Sequence, residues 1–509
     1  MDVTLLLSII IGYFLLLLGI AFYTSRHSNN ESFFIGNRSS KWWVVAFGMV
    51  GTSLSGMTFI SVPGTVGLHG FDYFQVVVGY LLGYFVVAYI LLPIYYKMQL
   101  TSIYTYLDKR LGTTSYKTGA LFFILSRTLG ATIRLYLVIK VMELFILKKI
   151  GISFEVTAIV ILALILLYTY RGGVKTIVWT DTLQTSFMLL ALIICLVYVM
   201  QTLGLNFAET WNTMTQNGFT KFLHTNPLSG NFFLKQILGG AFITIAMTGL
   251  DQEMMQKNIS VRTLKDSQKN MITLSFLQAI VVFIFLVLGG LLYLFALNQG
   301  ASFQEISEQG TKLVMDGKII AGDSIFPEIA FNYLPPFIGI IFIIGLISAL
   351  FPSADGALTA LTSSFCIDIL NMKTRTDWDE KKKARIRLIV HNIMAIVFLG
   401  CVFFFREIDN GSLIQTLLVV AGYTYGPLLA LFSFGIFTRR SVNHTLVPVI
   451  CLLSPVLCYI LKTHEQKWLG GYTIGTELLI INGAIAFILL LLSSRKNNPD
   501  DTTTFIPRA

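Results

Sequence analysis

The amino-acid sequence predicts an all-α polytopic membrane protein with about thirteen transmembrane helices. Of its 509 residues, 55% are hydrophobic and 13% are charged, and this charged share is roughly half of the usual one. Many uninterrupted apolar runs reach the ~20 residues that cross a bilayer as a helix. A soluble core could not hide so many such runs, and the alternating ten-residue segments of a membrane β-barrel are absent.

The first apolar run follows Asp2 and no basic residue, and it has no small-residue cleavage site, so we expect a retained span and not a signal peptide. The five cysteines lie in or beside apolar runs without metal-ligand or disulfide spacing, so we expect packing residues. The predicted spans are residues 3–23, 42–66, 72–96, 118–146, 152–169, 176–201, 234–256, 271–296, 336–363, 386–405, 412–438, 443–461 and 474–494.

Basic residues predict the orientation of these spans. With the N-terminus outside, the cytoplasmic loops carry 25 of the 37 Lys and Arg residues, Lys257 among them, and the outer loops carry nine. This positive-inside bias predicts an outer N-terminus and a cytoplasmic C-terminus. We expect an integral protein of a bacterial inner (plasma) membrane, with membrane lipid as a partner and with no nucleic-acid partner.

Two spans are interrupted by residues that favour unwound backbone. Span 2 contains Gly48, Gly51, Ser55, Pro63 and further hydroxyl residues, and span 7 contains glycines at 239–240 and 249. Irregular backbone survives at membrane depth only where it lines a cavity. Interrupted helices at matching positions of two inverted halves indicate the central site of a transporter. The alternative is that small residues only permit close helix packing.

The offset of five spans makes spans 2–6 and 7–11 an inverted pair, and this repeat divides the chain. The predicted segments are a leading helix with its loop (1–38), the first five-helix repeat (39–202), an extracellular loop (203–233), the second inverted repeat (234–440), two trailing helices (441–494) and a cytoplasmic tail (495–509).

Two acidic residues, Asp181 and Asp355, lie inside predicted spans and far apart in the chain. A carboxylate at membrane depth costs about 3 kcal/mol or more and normally faces a cavity or a partner. Hydroxyl residues flank both acids, which indicates sites for a small cation. The alternative is a pair of buried acids that are hydrogen-bonded to hydroxyls for structural reasons alone.

Several stretches together resemble the sodium:solute symporter family. They are TSLSGMTFISVP at 52–63, LTSIYTYLDKRLG at 100–112, RGG at 171–173 with Thr180, Asp181 and Gln184, DQEMMQK at 251–257, and SALFPS at 348–353 through Asp368. The resemblance covers about residues 1–440. It implies a LeuT-type five-plus-five inverted repeat with one leading and two trailing helices. It also implies that sodium is carried together with a small solute.

The family resemblance also implies a sodium site between the unwound second span and the ninth span. By position its ligands are Gly51, Leu54, Ala349, Pro352 and Ser353, mostly through carbonyl oxygens, which suit a hard cation. Many members have a hydroxyl residue where Pro352 stands. Some members have a second sodium site at an aspartate aligned with Asp181, together with serines that match Asp355 and Gly356. A second sodium ion at Asp181 and Asp355 is therefore a candidate, with a protonatable Asp355 as the competing interpretation.

The solute cavity is expected between the broken parts of spans 2 and 7 and spans 3, 4 and 11. Ser55 and Thr58 match substrate-facing positions of bacterial sialic acid carriers, but the carboxylate-binding arginine of those carriers aligns near Gly130, so sialic acid is not carried over. The candidate solute-binding residues are Ser53, Ser55, Thr58, Gln75, Arg127, Arg134, Thr248 and Tyr423 with Tyr425.

Arg127 and Arg134 are seven residues apart and share one face of span 4. An unpaired arginine within a span is costly, so each should meet an acid or an anionic solute. The alternative is an internal ion pair, with Asp181, Asp355 or Asp251 as the partner.

These features favour a sodium-coupled secondary transporter that takes up a small organic solute by alternating access, with an organic anion slightly favoured over a sugar or amino acid. The alternative is a channel or a proton-coupled subunit without sodium coupling. The histidines offer no paired haem ligands within spans, and no HExxH or GxSxG motif is present. We therefore expect that the protein is not an enzyme. The ion that we expect it to require is sodium, with one ion bound and a second as a candidate.

Overall fold

The computed structural model describes residues 3–25, 33–34, 38–145, 147–306, 310–320, 322–408 and 413–495. The described chain is mainly helical. Its first half forms α1 (Val3–Ser25), α2 (Trp42–Ser53), α3 (Gly56–His69), α4 (Tyr73–Lys97), α5 (Thr105–Leu111), α6 (Thr113–Phe145), α7 (Phe154–Tyr170) and α8 (Thr176–Thr202).

The second half adds more helices and a small sheet. The helices are α9 (Phe207–Gln216), α10 (Phe233–Gly249), α11 (Gln252–Ile259), α12 (Leu264–Asn298), α13 (Ile325–Asn332), α14 (Pro336–Ile369), α15 (Glu380–Glu407), α16 (Leu413–Phe437), α17 (Leu446–Thr463), α18 (Glu465–Trp468) and α19 (Leu478–Ser493). The strands β1 (Ser302–Ile306), β2 (Gly310–Met315) and β3 (Lys318–Ile320) pair antiparallel in chain order.

Each predicted span falls on a helix of the described chain. Eight helices are long and apolar enough to cross a membrane, two bent helix pairs qualify as broken spans, and three shorter apolar helices lie at the remaining positions. Large apolar side chains on the outer helices are exposed, such as those of Leu452, Ile396 and Leu492, as expected for surfaces that face lipid. The helical membrane fold is thus confirmed, while the number of crossings stays a prediction.

The predicted interruptions of spans 2 and 7 are confirmed. The pair α2–α3 bends by 58° and the pair α10–α11 by 65°. At the first break Leu54 leaves helical geometry with φ −96° and ψ 84°. At the second, the Asp251 carboxylate accepts hydrogen bonds from the backbone N–H groups of Glu253 and Met254 and so caps α11. Pro63 stays inside α3, so it does not cause the first break.

The glycines at 239–240 serve close packing instead, as the alternative for span 7 proposed. A Cβ atom on Gly240 would lie 2.2 Å from the Val76 carbonyl oxygen of α4, and one on Gly239 would lie 2.3 Å from the Thr476 hydroxyl. Backbone of α10 thus lies directly against α4. The break itself occurs ten residues later, at Leu250 and Asp251.

The chain also bends sharply between α7 and α8, at Gly173, which has φ 51° and ψ −149°. This conformation lies in a region that side chains disfavour, so glycine suits the position. The bend allows both α7 and α8 to pack along α14 in the interior. As a result, Tyr168 of α7 and Asp181 of α8 both come near the middle of α14.

Candidate functional site

A cavity of about 90 Å³ lies between the two broken helices, against α4, α6 and α16. This is the position that the sequence predicts. Six of the predicted solute-binding residues line it; they are Ser53, Ser55, Thr58, Arg127, Arg134 and Thr248. The structure brings these six together, and their contact with solute stays a prediction.

The other three predicted residues, Gln75, Tyr423 and Tyr425, are not among the residues that line the cavity. Gln75 is turned toward Asp72, whose backbone carbonyl accepts a hydrogen bond of 3.2 Å from the Gln75 side chain. Tyr423 packs against Tyr459, with ring centroids 6.1 Å apart. Residues two positions apart lie on nearly opposite helix faces. The cavity side of α4 accordingly belongs to Tyr73. On α16, the cavity is lined by Ile414, Leu417 and Leu418, while the Tyr425 hydroxyl contacts Asp251.

Three tyrosines and a glutamine also line the cavity and were not predicted. Tyr73, Tyr80 and Tyr84 of α4 line the cavity, as does Gln278 of α12. The Tyr73 and Tyr80 hydroxyls lie 3.2 Å apart, and the Tyr84 hydroxyl donates to the Gln278 side-chain oxygen at 2.5 Å. The spacing of 73, 80 and 84 places the tyrosines on one helix face. That periodicity was the signal in the sequence that could have found them.

Arg127 forms an internal ion pair, as the alternative for this residue proposed. Its guanidinium donates to the Glu253 carboxylate and lies 3.9 Å from the nearer oxygen of Asp251. The Tyr425 hydroxyl donates to the same Asp251 carboxylate at 2.8 Å. Asp251 was among the predicted partners, whereas Glu253 was not. The break in the second repeat therefore places two acids beside α6.

Arg134 lies seven residues after Arg127 on the same face of α6, but its environment is different. It is 8% exposed and lines the cavity. Within the described residues it has no ion pair, and its Nε atom has no hydrogen-bond partner. A buried guanidinium without an acid is costly. Of the two predicted arginines, it is Arg134 that presents an uncompensated positive charge to the cavity.

A second cluster of charges lies around Asp181. The Lys257 ammonium is 2.7 Å from an oxygen of Asp181 and 2.7 Å from the Thr52 hydroxyl, which itself donates to Asp181 at 3.0 Å. Lys257 also lies 3.5 Å from Glu253. The expectation that Lys257 lies in a cytoplasmic loop is wrong, because Lys257 lies in α11 and its side chain is 2% exposed. The bend at Leu250 carries α11 across the molecule and turns Lys257 inward.

Asp355 lies deep inside α14 and is fully buried. One carboxylate oxygen accepts a hydrogen bond of 2.7 Å from the Tyr168 hydroxyl, and the other accepts one of 2.5 Å from the Gly356 backbone N–H. No Lys or Arg nitrogen in the described chain is within 4.0 Å of it. Asp181 and Asp355 are thus near neighbours in space with different partners, and a shared second sodium ion stays a prediction.

The five predicted sodium ligands lie at the end of α2 and in the middle of α14, two helices that pack against each other. A Cβ atom on Gly51 would lie 3.5 Å from the Pro352 side chain. Because α2 ends at Ser53, the carbonyl oxygen of Gly51 lacks the usual helical partner, whereas that of Val50 accepts from the Leu54 N–H at 2.7 Å. On α14, Ala349 is buried and the Ser353 hydroxyl donates to the Leu350 carbonyl at 2.8 Å. The donor set of carbonyl and hydroxyl oxygens fits sodium.

A second cavity of about 290 Å³ adjoins the first on the side that the sequence predicts to be extracellular. Tyr73, Ile414 and Leu418 line both cavities. The larger cavity is also lined by residues of the connections at 230–231 and 473–476. These three side chains therefore separate the central cavity from an outer vestibule.

The chain is similar to several known proteins. The model of the sodium:solute symporter family matches residues 33–445. The chain is 22% identical to the sodium/sialic acid symporter SiaT of Proteus mirabilis, with 94% of each chain covered. It is 23% identical to the sodium/sialic acid symporter NanT of Aliivibrio fischeri, covering 91% of this chain and 88% of NanT. It is 24% identical to sodium-coupled monocarboxylate transporter 1 of Xenopus laevis, covering 93% and 71%.

Solved structures show the same fold. A substrate-bound, outward-open Na⁺-coupled sialic acid symporter superposes with a TM-score of 0.80 at 19% identity, over 98% of this chain and 100% of the other. The nucleobase-cation-symport-1 transporter Mhp1 in a closed conformation gives a TM-score of 0.55 at 12% identity, over 92% and 94%. The LeuT-type inverted-repeat architecture that the sequence predicts is therefore confirmed.

Proposed function

Because the chain belongs to the sodium:solute symporter family, it is a sodium-coupled secondary transporter, and we propose that its solute is a small organic anion held by Arg134. Sodium movement down its gradient drives solute uptake by alternating access. The observation that carries the choice of an anion is the buried Arg134 guanidinium, which faces the cavity without an acidic partner in the described chain.

The contrast with Arg127 supports this choice. The charge of Arg127 is compensated by Glu253 and Asp251, so an additional anion gains little there. The charge of Arg134 has no such compensation, and a carboxylate in the cavity would supply it through a charge-assisted, bidentate hydrogen bond. Hydroxyls of Tyr73 and Tyr80 on the same lining can donate to the remaining oxygens.

Three of the relatives are consistent with an anionic solute. Two of them are named sialic acid symporters and one a monocarboxylate transporter, and both kinds of solute carry a carboxylate at neutral pH. Among the described residues that line the cavity, Arg134 is the one guanidinium without an acidic partner, which suits a solute with a single carboxylate. A monocarboxylate is accordingly the first solute to test.

We further propose that Gly51, Leu54, Ala349, Pro352 and Ser353 hold the driving sodium ion. Leu54 belongs to both the proposed sodium site and the solute cavity. Its backbone lies at the break between α2 and α3, and the residue also lines the cavity. A sodium ion bound between α2 and α14 would fix the orientation of the broken helix. That orientation also sets the positions of Ser53 and Ser55 in the cavity. Ion and solute are then coupled through one short segment of backbone.

The test is uptake into proteoliposomes that are loaded with potassium and diluted into sodium. Labelled lactate, pyruvate and sialic acid are compared with labelled myo-inositol and proline, for wild type, Arg134→Gln and Arg134→Lys. Loss of a charge-assisted hydrogen bond costs about 1.5–3 kcal/mol, so Arg134→Gln should weaken anion uptake roughly tenfold or more. Arg406→Gln is the matched control, since Arg406 pairs with Glu155 on the surface.

Sodium-driven uptake of an anion that falls in Arg134→Gln and persists in Arg406→Gln supports the proposal. Preferred uptake of a neutral solute, unchanged in Arg134→Gln, contradicts the anion assignment. Flux of ions without saturable solute uptake would favour a channel, the alternative that the sequence leaves open.

A further inference from the structure

The two ends of the central cavity differ in charge. At one end the Arg134 guanidinium acts electrostatically on the hydroxyls of Tyr73 and Tyr80, which lie 3.2 Å apart. Tyr73 also lines the outer vestibule, so this end of the cavity is the one next to the vestibule. These three residues form the charged end of the cavity.

The opposite end is polar but carries no charge. Tyr84 follows Tyr80 by one helical turn of α4, which is about 6 Å along the helix axis. Its hydroxyl donates to the Gln278 side-chain oxygen at 2.5 Å, and the Ser53 and Thr248 side chains lie beside it. All four side chains line the cavity. Ser53, Tyr84, Thr248 and Gln278 form the neutral end of the cavity.

The neutral end has hydrogen-bonding capacity that the protein does not use. The Ser53 Oγ atom is buried and has no hydrogen-bond partner among the described residues. The Tyr84 hydroxyl gives its proton to Gln278, so its oxygen can still accept, and the Gln278 amide nitrogen carries two donors. A buried polar group without a partner is costly. A solute hydroxyl, which both donates and accepts, would satisfy these groups.

The neutral end also lies at both helix breaks. Ser53 is the last residue of α2, and Thr248 lies two residues before Leu250, where the second broken helix leaves helical geometry. A hydroxyl bound here would contact both broken helices at once. A carboxylate at Arg134 would contact α6 instead, so a solute with both groups would connect the two repeats.

The cavity does not suit an amine. Among the described residues that line it, the charged ones are Arg127 and Arg134, and neither Asp nor Glu is among them. An ammonium group would lose its water without gaining a counter-charge, and both guanidinium groups would repel it. The lining also contains apolar residues that suit a hydrocarbon chain, namely Ile243, Met247 and Leu417.

We propose that the solute is a hydroxycarboxylate without an ammonium group, with its carboxylate at the charged end and its hydroxyl at the neutral end. This inference rests on the proposed function, in which Arg134 holds an anion, and it adds the second group that the solute must carry. A chain of four carbon atoms spans about one helical turn, the separation of Tyr80 and Tyr84. The simplest compound with both groups at this separation is 4-hydroxybutyrate.

Three probes on one carbon skeleton test the proposal. Pentanoate, 4-hydroxybutyrate and 4-aminobutyrate carry a methyl, a hydroxyl and an ammonium group at the same carbon atom. Their binding to the purified full-length protein in sodium chloride is measured from the rise in melting temperature with probe concentration. The hydroxyl compound should bind roughly tenfold more tightly than pentanoate, because the methyl group leaves the neutral end without a partner. The ammonium compound should bind most weakly.

Variants of the neutral end should change the ratio of these affinities. Ser53→Ala and Gln278→Met should each lower the preference for 4-hydroxybutyrate over pentanoate several-fold, whereas Arg134→Gln should weaken both probes and keep their ratio. The ratio is the quantity compared, so a general loss of affinity does not imitate the effect. Gln268→Met is the matched control, because Gln268 lies on the same helix, donates to the Ala88 carbonyl at 3.0 Å and is not among the residues that line the cavity.

A gain of binding provides a test that misfolding cannot imitate. Gln278→Glu places a carboxylate at the neutral end and should raise the affinity for 4-aminobutyrate above that for pentanoate, since a charge-assisted hydrogen bond then holds the ammonium group. Unchanged weak binding of 4-aminobutyrate in this variant would place Gln278 outside the site and overturn the assignment of the neutral end.

The outcomes separate this inference from the proposed function. Equal binding of 4-hydroxybutyrate and pentanoate in wild type, with both weakened in Arg134→Gln, overturns the hydroxycarboxylate and leaves the anion site intact. A preference that persists in both Ser53→Ala and Gln278→Met, or tightest binding of 4-aminobutyrate in wild type, also overturns it. Absence of binding by all three probes, or affinities that Arg134→Gln does not alter, overturn the proposed anion site and this inference with it.

Discussion

The two broken helices occupy matching places in the inverted repeats and differ in chemistry. The break between α2 and α3 carries no charged side chain, and Thr52, Ser53 and Ser55 surround it. The break between α10 and α11 is followed by Asp251, Glu253 and, one turn later, Lys257, all buried. A broken helix thus presents neutral oxygens in the first repeat and charged side chains in the second.

The difference indicates that the two breaks have different roles. Neutral backbone and hydroxyl oxygens can bind and release a cation without leaving a fixed charge uncompensated. Fixed charges that pair with α6 and α8 hold the second break to the rest of the protein. We therefore expect changes at the second break to affect stability most, and changes at the first to affect ion binding.

The largest effect is expected from Glu253→Gln, which leaves the buried Arg127 guanidinium with only the more distant Asp251 carboxylate. Breaking a buried ion pair from one side typically costs about 3–5 kcal/mol. The protein should melt at a clearly lower temperature, as measured by intrinsic fluorescence in detergent. The double variant Arg127→Met/Glu253→Leu should lose less than the sum of its single variants, because they share one interaction. Additive losses would show that the pair is not energetically coupled.

The next effect is expected at Gly51, where α2 lies closest to α8. An added Cβ would lie 2.3 Å from the Thr185 hydroxyl, which accepts a hydrogen bond from the Gly51 N–H at 3.1 Å. Gly51→Ala should therefore cost about 1–3 kcal/mol through overpacking and reduce sodium affinity. Gly51→Ala/Thr185→Ser should recover little and Gly51→Ala/Thr185→Gly more, since the hydroxyl is the colliding atom. Sodium-dependent melting curves measure both effects, and an unchanged Gly51→Ala curve would contradict the close contact.

A smaller effect, confined to ion binding, is expected from Ser353→Ala. The variant removes one hydroxyl ligand, and the loss of one such interaction, about 1 kcal/mol, corresponds to a several-fold higher sodium concentration for half-maximal uptake. Ser348→Ala is the control on the same helix, because the Ser348 hydroxyl donates to Tyr13 at 2.9 Å. Equal sodium dependence in wild type and Ser353→Ala would remove Ser353 from the site.

The smallest effect concerns Asp72, which lies between α3 and α4, near the outer end of the first broken pair. Burial raises the pKa of its carboxyl to about 7, and His224 lies 3.5 Å away. The protonated form is therefore favoured in the folded protein, so this stabilisation is fully present below the ordinary pKa of 3.8 and is lost progressively as pH rises to about 7.

Asp72→Asn should flatten the decrease in melting temperature between about pH 4 and 7. The corresponding change in the free energy of unfolding should be roughly 1 kcal/mol or less, because the group is partly solvated. The groups that also act on Asp72 are Gln75, Lys221 and His224, so His224→Gln is the control variant. A pH profile that is unaltered in Asp72→Asn would exclude this carboxyl as the titrating group.

The sequence by itself determined the helical membrane fold, the two broken spans and the family, because these follow from local properties. Apolar runs of sufficient length must cross the bilayer as helices, since no other backbone satisfies its hydrogen bonds there. Glycine, proline and hydroxyl residues marked the interrupted segments, and motifs at 52–63, 171–184 and 348–353 carried the resemblance. The position of the cavity followed from the repeat.

Only the tertiary structure decided which charges meet. Arg127 and Arg134 look alike in sequence, yet one pairs with Glu253 and the other faces the cavity. Hydropathy predicts that Lys257 lies in a loop, but a 65° bend six residues earlier brings its side chain to Asp181. Which charged side chains pair depends on the rotation of each helix about its axis and on the direction of each bend. Both are set by contacts between residues that are far apart in the chain, so no local sequence pattern predicts them. For this reason the fold could be predicted from the sequence, while the arrangement of charges within the site could not.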